Sequence, residues 1–279
     1  MDHGAASLEV VVECSASVVE IVSDRLWSLG AGAIEERLHA DTVELRSCFG
    51  DDPQTVSAHV SEALTGLGVV WRFESVDPAV VETWRSFVGI TVVDELISVR
   101  PAWVAPAASP RAIDIVIEPG PTFGLGNHAT TRASLQMLRA VIRGGDRVLD
   151  VGTGSGVLGI GAVLLGARTA QGVDITPASE AVVSDNARRN GVGDRVWAST
   201  ASLESLDPTG HRSFDVVAAN ILAPALIELA PQLIRLTDRV LVLSGLLADR
   251  YEHVVDAMRP LRLDAVLEVD GWVALSLVR

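Results

Sequence analysis

The chain has 279 residues, 48% hydrophobic, 21% charged and 4% aromatic, a balance that excludes disordered and fibrous chains and leaves a globular protein of one or two domains. Its formal net charge of −14 makes the protein as a whole repel nucleic acid and favour a basic partner. All 22 basic residues are Arg, which excludes any mechanism built on a lysine nucleophile or Schiff base.

The opening Met1-Asp2-His3-Gly4 has no basic stretch, and the first apolar run, Leu8–Val12, is interrupted by Glu9. No stretch approaches the roughly 20 uncharged apolar residues of a membrane span, so the expectation is a cytoplasmic protein without membrane contact. Cys14 and Cys48 lie too far apart for a zinc knuckle, and His3, His39, His59, His211 and His253 show no metal-ligand spacing. No metal site is expected.

In chain order, Leu8, Val10 and Val12 alternate as a strand should. Val18, Val22, Leu26 and Leu29 then recur at helical spacing until Gly30-Ala31-Gly32. Strands follow at 33–38 and 42–48, a helix through Val56, Val60, Ala63 and Leu67, and a strand at 69–74. The order βαββαβ predicts a small α+β ferredoxin-like domain over 1–76, a superfold that says little about chemistry alone. From 77 to 110 the pattern weakens and Pro101, Pro106 and Pro110 gather, which reads as a connector with some structure of its own. Trp84 and Trp103 within it read as packing residues.

Residues 111–279 alternate strand and helix, which predicts an α/β domain with a mostly parallel sheet. Strand 147–151 leads into helix 155–165, strand 169–173 into helix 178–190, and strand 215–219 into one helix over 224–234. A strand at 239–243 and a helix at 249–258 follow. Strands 262–268 and 272–278 are joined by Asp270-Gly271, a hairpin signal that puts an antiparallel strand into the sheet.

The turn after strand 147–151 uses Gly152, Gly154 and Gly156 to bring backbone N–H groups and a helix start toward an anionic, nucleotide-like ligand. Gly154-x-Gly156-x-x-Gly159 also satisfies the dinucleotide fingerprint, with Asp174 placed to hold ribose hydroxyls. The glycines alone leave a methyl donor and NAD both open. The features that discriminate lie outside the turn, in Asp150 before it and in Asn220-Ile221-Leu222-Ala223 after the strand that begins at Asp215.

Four ordered motifs resemble the PrmA family, the methyltransferases of the eleventh protein of the large ribosomal subunit. They are Glu118-Pro119-Gly120-Pro121-Thr122-Phe123-Gly124-Leu125-Gly126-Asn127-His128-Ala129-Thr130-Thr131, Val148 to Leu158, Asn186-Ala187-Arg188-Arg189-Asn190-Gly191, and Ala219 to Ala223. Leu125 and Ala129 stand where the family more usually has Thr and Pro, and Glu118 where Asp is usual. The resemblance implies a Rossmann-like class I S-adenosylmethionine methyltransferase domain, its seven-stranded sheet mostly parallel with one antiparallel strand, behind a ferredoxin-like substrate-recognition domain. It implies that Thr131, Gly152, Asp174 and Asn220 contact S-adenosylmethionine and that the loop Phe123–Gly126 closes over it. The full cofactor set expected is Phe123, Thr131, Asp150, Gly152, Thr153, Gly154, Gly156, Asp174, Ile175 and Asn220.

The expected reaction is N-methylation of Lys side chains or the N-terminal α-amine of a large-subunit ribosomal protein met free of the ribosome, by a monomer with no nucleic-acid contact. Another protein or a small amine is the alternative substrate, and a nicotinamide-dependent oxidoreductase the alternative class. The side-chain carbonyl of Asn220 and the main-chain carbonyl of Ile221 or Leu222 are expected to accept from the substrate amine and aim its lone pair. His128 could relay a proton or orient its loop.

Overall fold

The computed structural model describes residues 7–16, 18–29, 33–39, 42–48, 53–76, 89–118, 126–206 and 214–279. The chain divides into two compact units, Met1–Val88 with Gly120–Phe123, and Gly89–Pro119 with Gly124–Arg279.

In the first unit the elements are β1 (Ser7–Cys14), α1 (Val19–Ser28), β2 (Ala33–Leu38), β3 (Val43–Cys48), α2 (Pro53–Ala63) and β4 (Val70–Val76). The sheet runs β2-β3-β1-β4 with every pair antiparallel, the ferredoxin-like order that the βαββαβ pattern predicts. Alternation sorts the strands into two faces. Val10, Val12, Val43 and Leu45 pack with Val22 and Leu26 of α1 and with Val56 and Val60 of α2. The opposite face carries charge. Arg46 lies 2.7 Å from Glu9, 3.0 Å from Glu44 and 2.6 Å from Glu74, and Arg72 bridges Glu13, Glu44 and Glu74. Burial alone would pull the Arg46 guanidinium down, but its hydrogen bonds to Glu74, Glu44 and Glu9 hold it above the ordinary arginine value.

The second unit begins with a small sheet of β5 (Thr91–Val92), β6 (Ile97–Pro101) and β7 (Ile113–Ile117), paired in that order. The 89–110 part of the expected connector thus carries β5 and β6, and Ile97 and Val99 join Ile115 and Ile117 in the core beneath the glycine-rich helix. Trp84 lies outside the described residues. Beyond the small sheet come α3 (Ala129–Val141), β8 (Arg147–Val151), α4 (Val157–Leu164), β9 (Thr169–Val173), α5 (Ala178–Arg189), β10 (Val196–Ser199) and β11 (Phe214–Asn220). The chain ends through α6 (Ala223–Glu228), α7 (Ala230–Leu236), β12 (Thr237–Leu247), α8 (Glu252–Ala257), β13 (Arg262–Val269) and β14 (Trp272–Val278).

The large sheet runs β10-β9-β8-β11-β12-β14-β13, and only β14 opposes the rest. Its central strands are apolar on both faces, as a sheet covered by helices on each side requires. Val148, Val216 and Ala218 enter one core, while Leu149, Val217 and Ala219 enter the other. The connection direction reverses between β8 and β11, and a crevice at the carboxyl ends of such strands is where open α/β sheets bind ligands.

One expected element divides. The helix over 224–234 is two, because Pro231 has no N–H to continue the ladder and its ring conflicts with the carbonyl four residues back. The Asp270-Gly271 hairpin stands as expected, with φ of 50° and 79°, the double left-handed step of a type I′ turn.

Replacing Arg46 with Ala leaves Glu9 without its cation and Glu44 and Glu74 still paired with Arg72 on a half-dry surface. A loss of about 2–4 kcal/mol in the denaturation free energy of the first unit is expected; a loss below about 0.5 kcal/mol would mean the ladder is only a solvated face.

Candidate active site

Asp150 and Val151 end β8 between β9 and β11. The chain leaves the sheet at Gly152, φ 71°, where a Cβ would lie 2.4 Å from Cγ2 of Ile221. Both features demand glycine. The amides of Gly152 and Thr153 donate to Val173 O at 2.9 and 3.1 Å, which folds the turn back over β9. Gly156 then starts α4 with no side-chain cap of its own; the first-turn amide of Gly159 is taken by Asp150, and the positive dipole end of the helix favours an anionic group there.

Two carboxylates flank this turn. Asp150 is buried; its Oδ2 accepts from Thr153 Oγ1 at 2.7 Å and from Gly159 N at 3.1 Å, while its Oδ1 is buried without a partner among the described residues. Burial pushes its pKa up to about 6 against the pull of those two bonds, with the charge of Asp174 adding to the rise. Asp174, half-buried past β9, accepts from Gly154 N at 2.8 Å through Oδ2 and from Thr176 N at 2.9 Å through Oδ1. Each of its oxygens keeps a lone pair, enough for two ribose hydroxyls. The next residue, Ile175, is 87% exposed, an apolar surface that no described residue covers. An uncapped helix start after the glycine turn, an orphaned acceptor on Asp150, a doubly oriented carboxylate and an exposed aliphatic beyond it suit a nucleoside carrying an amino-acid tail.

Across the sheet, Asn220 ends β11 half-buried and in register with Ser244 of β12. Ile221 lies over Gly152, and Leu222, 43% exposed, starts α6. The Ser244 hydroxyl reaches Val273 O at 3.0 Å and Thr130 O at 3.3 Å, which ties the first turn of α3, with the buried Thr131, to the strand beside Asn220. His128 caps α3. Its Nδ1 accepts from Thr130 N at 3.3 Å and meets Thr130 Oγ1 at 2.8 Å, and its ring stands edge-on to Trp272 with centroids 5.2 Å apart. A ring nitrogen that accepts from an amide carries no proton, so neutral His128 holds its proton on Nε2. Desolvation, then the charge of Arg132, lowers its pKa. These contacts fix the His128 ring against the start of α3.

Thus Asp150, Gly152, Thr153, Gly154, Gly156, Asp174 and Ile175 gather around one turn, with Asn220, Ile221 and Leu222 on the adjoining strand end. Phe123 lies outside the described residues. Asn186 and Asn190 lie in one of the family-like motifs, and their task is visible only in the structure. Asn186, fully buried, accepts from Glu118 N at 2.8 Å and donates to Glu118 O and Ser155 O, each at 2.9 Å. Asn190 repeats the pattern on Val116 N and O at 2.9 and 2.7 Å. Residues i and i+4 of a helix rise about 6 Å, close to the advance of i and i+2 in a strand, so two side-chain amides stand in for a missing strand along β7. The spacing Asn-x-x-x-Asn on a helix was the available signal.

A profile of the family described as Ribosomal protein L11 methyltransferase (PrmA) matches residues 81–279. The chain is 33% identical to the Ribosomal protein L11 methyltransferase of Syntrophotalea carbinolica over 98% of each protein. It belongs to the PrmA family. That of Chromohalobacter salexigens is 43% identical over 62% of this chain and 60% of its own length. A crystal structure of ribosomal protein L11 methylase from Lactobacillus delbrueckii subsp. bulgaricus superposes with a TM-score of 0.61 at 28% identity, covering 68% of this chain and 98% of that one. Membership in the PrmA family makes the chain a methyltransferase and sets aside the nicotinamide reading that the glycine turn alone left open. No described helix is long and apolar enough to cross a membrane.

The raised pKa of Asp150 fixes a sign. Below the ordinary carboxylate value the folded and unfolded chains both hold this proton, and the group costs nothing. As pH rises through about 6 the folded carboxyl must ionise where burial disfavours it, and stability is lost. Asp150→Asn cannot ionise, so the variant-minus-parent melting temperature of the ligand-free protein should climb between pH 5 and 7.5. A flat or falling difference would show that Asp150 ionises freely in the fold.

Proposed function

We propose that the chain is an S-adenosylmethionine-dependent N-methyltransferase whose substrate is ribosomal protein L11, modified at Lys side chains or its N-terminal α-amine. The observation that carries the reading is the meeting, at neighbouring strand ends, of the Asp150–Gly156 turn with Asn220-Ile221. When bound, the sulfonium cofactor supplies an electrophilic methyl group together with its leaving group. Asp174 holds ribose hydroxyls, Ile175 covers the base, and the turn amides with the start of α4 receive the carboxylate of the amino-acid tail. Asp150, through its buried, unpartnered Oδ1, answers the cationic amine of that tail, which favours its ionised form and lowers its pKa on binding.

The acceptor amine must be neutral to attack. Deprotonating a Lys amine of pKa about 10.4 at neutral pH takes roughly 4–5 kcal/mol, and an α-amine near 7.7–8.0 far less. An apolar surround of Ile221 and Leu222 disfavours the ammonium form and releases its proton to water. The side-chain carbonyl of Asn220 and one main-chain carbonyl then accept from the remaining N–H groups and aim the lone pair. The carbonyl of Leu222 already accepts from Leu226 N at 3.0 Å within α6, so Ile221 supplies the second acceptor. Asn220 is no base. The residues align and desolvate, which is what an in-line displacement with a built-in leaving group asks of a protein. The ferredoxin-like unit recognises the substrate, the net charge of −14 favours a basic protein over RNA, and the enzyme works as a cytoplasmic monomer on substrate free of the ribosome.

Asn220→Ala should lower kcat by about 10²-fold or more while leaving the calorimetric affinity for S-adenosylmethionine within about threefold. Turnover unchanged in that variant would remove Asn220 from the acceptor site.

A further inference from the structure

Ile221 is approached from two sides by glycine. Its side chain covers Gly152, and its main chain lies against β12, where the pairing of β12 with β14 shifts register between Leu243 and Leu246. Gly245 sits in that irregularity with φ 85°. A Cβ there would stand 2.4 Å from the carbonyl oxygen of Ile221, 2.9 Å from its carbonyl carbon and 3.3 Å from its nitrogen. A clashing side chain can rotate away, but here the three nearest atoms are all main chain, so the peptide itself would have to move or its oxygen be covered. A bulge at the end of a strand beside a site commonly re-aims what lies next to it.

We propose that Gly245 is a positioning residue for methyl transfer. The bulge brings a side-chain-free backbone against Ile221, which fixes the direction of the Ile221 carbonyl relative to Asn220 and leaves its oxygen open to the substrate amine. The inference rests on the acceptor role assigned above to Asn220 and Ile221. It gives β12, a strand with no residue in that acceptor pair, control over the angle of attack, because a small error in the placement of an acceptor group costs far more in rate than in binding.

The test uses a matched pair of substitutions in the full-length protein. Gly145, φ 92°, precedes β8 at the amino end of the sheet and has nothing within 4 Å of a Cβ. Gly145→Ala therefore imposes the left-handed strain of an L-residue without the collision, and Gly245→Ala imposes both. Expected for Gly245→Ala is a kcat lower by about 10²-fold with the dissociation constants of S-adenosylmethionine and S-adenosylhomocysteine within about threefold, whereas Gly145→Ala keeps its kcat despite a comparable fall in melting temperature. Should Gly245→Ala fail to fold, Gly245→Asn tolerates the backbone angle better while keeping the Cβ, and the same loss of kcat is expected. Retained kcat in either folded variant overturns the proposal, as does an affinity loss that accounts for the whole effect. If Gly245→Ala is fully active while Asn220→Ala is dead, only the role of Gly245 falls; if Asn220→Ala is itself active, the acceptor-site reading falls with it.

Discussion

The direct pairing of β8 with β11 is the contact on which the second unit depends. Four elements, α4, β9, α5 and β10, separate these strands along the chain, yet they are neighbours in the sheet, so the two segments that leave them, Gly152–Gly156 and Asn220–Leu222, emerge side by side. The approach is so close that Gly152 has no room for a Cβ beside Ile221. The proposed cofactor cradle and the proposed acceptor motif are therefore parts of one packed contact. Strand pairing fixes their spacing more rigidly than loops could, which suits a displacement whose rate depends on alignment.

Electrostatics around that contact are arranged for a ligand more than for the empty fold. Asp150 is held without a full set of partners, and at neutral pH its ionised form is uncompensated until a cation arrives. Asp174, by contrast, is oriented by two amides and stands ready to accept. His128 turns its Nδ1 inward to cap α3 and is disfavoured as a cation by burial and by Arg132.

The parts of this architecture that sequence made visible are those where one residue type has one physical explanation. The glycine turn, the acidic residues at the ends of β8 and β9, the βαββαβ alternation and the Asp270-Gly271 hairpin all belong to this group, and their boundaries lie close to those expected. The hidden parts depend on partners distant in sequence. β10 is only four residues long, and β5 only two; such strands exist because a neighbour supplies the ladder. β7 is stabilised partly by Asn186 and Asn190, whose hydrogen bonds span more than 60 positions of chain. The broken helix at Pro231 could have been read from its proline. Gly245 could not, since its need for glycine comes from the main chain of Ile221, brought there only by the sheet.

The central claim is that this contact serves methyl transfer to a ribosomal protein amine. The most direct measurement is incubation of the purified protein with S-adenosylmethionine labelled in its methyl group and with separated large-subunit ribosomal proteins, followed by location of the label. Label is expected on ribosomal protein L11, in N-methyl lysine or at the α-amine, when that protein is presented free of the ribosome. Label confined to another protein, to RNA or to a small amine, with L11 unlabelled, would contradict it.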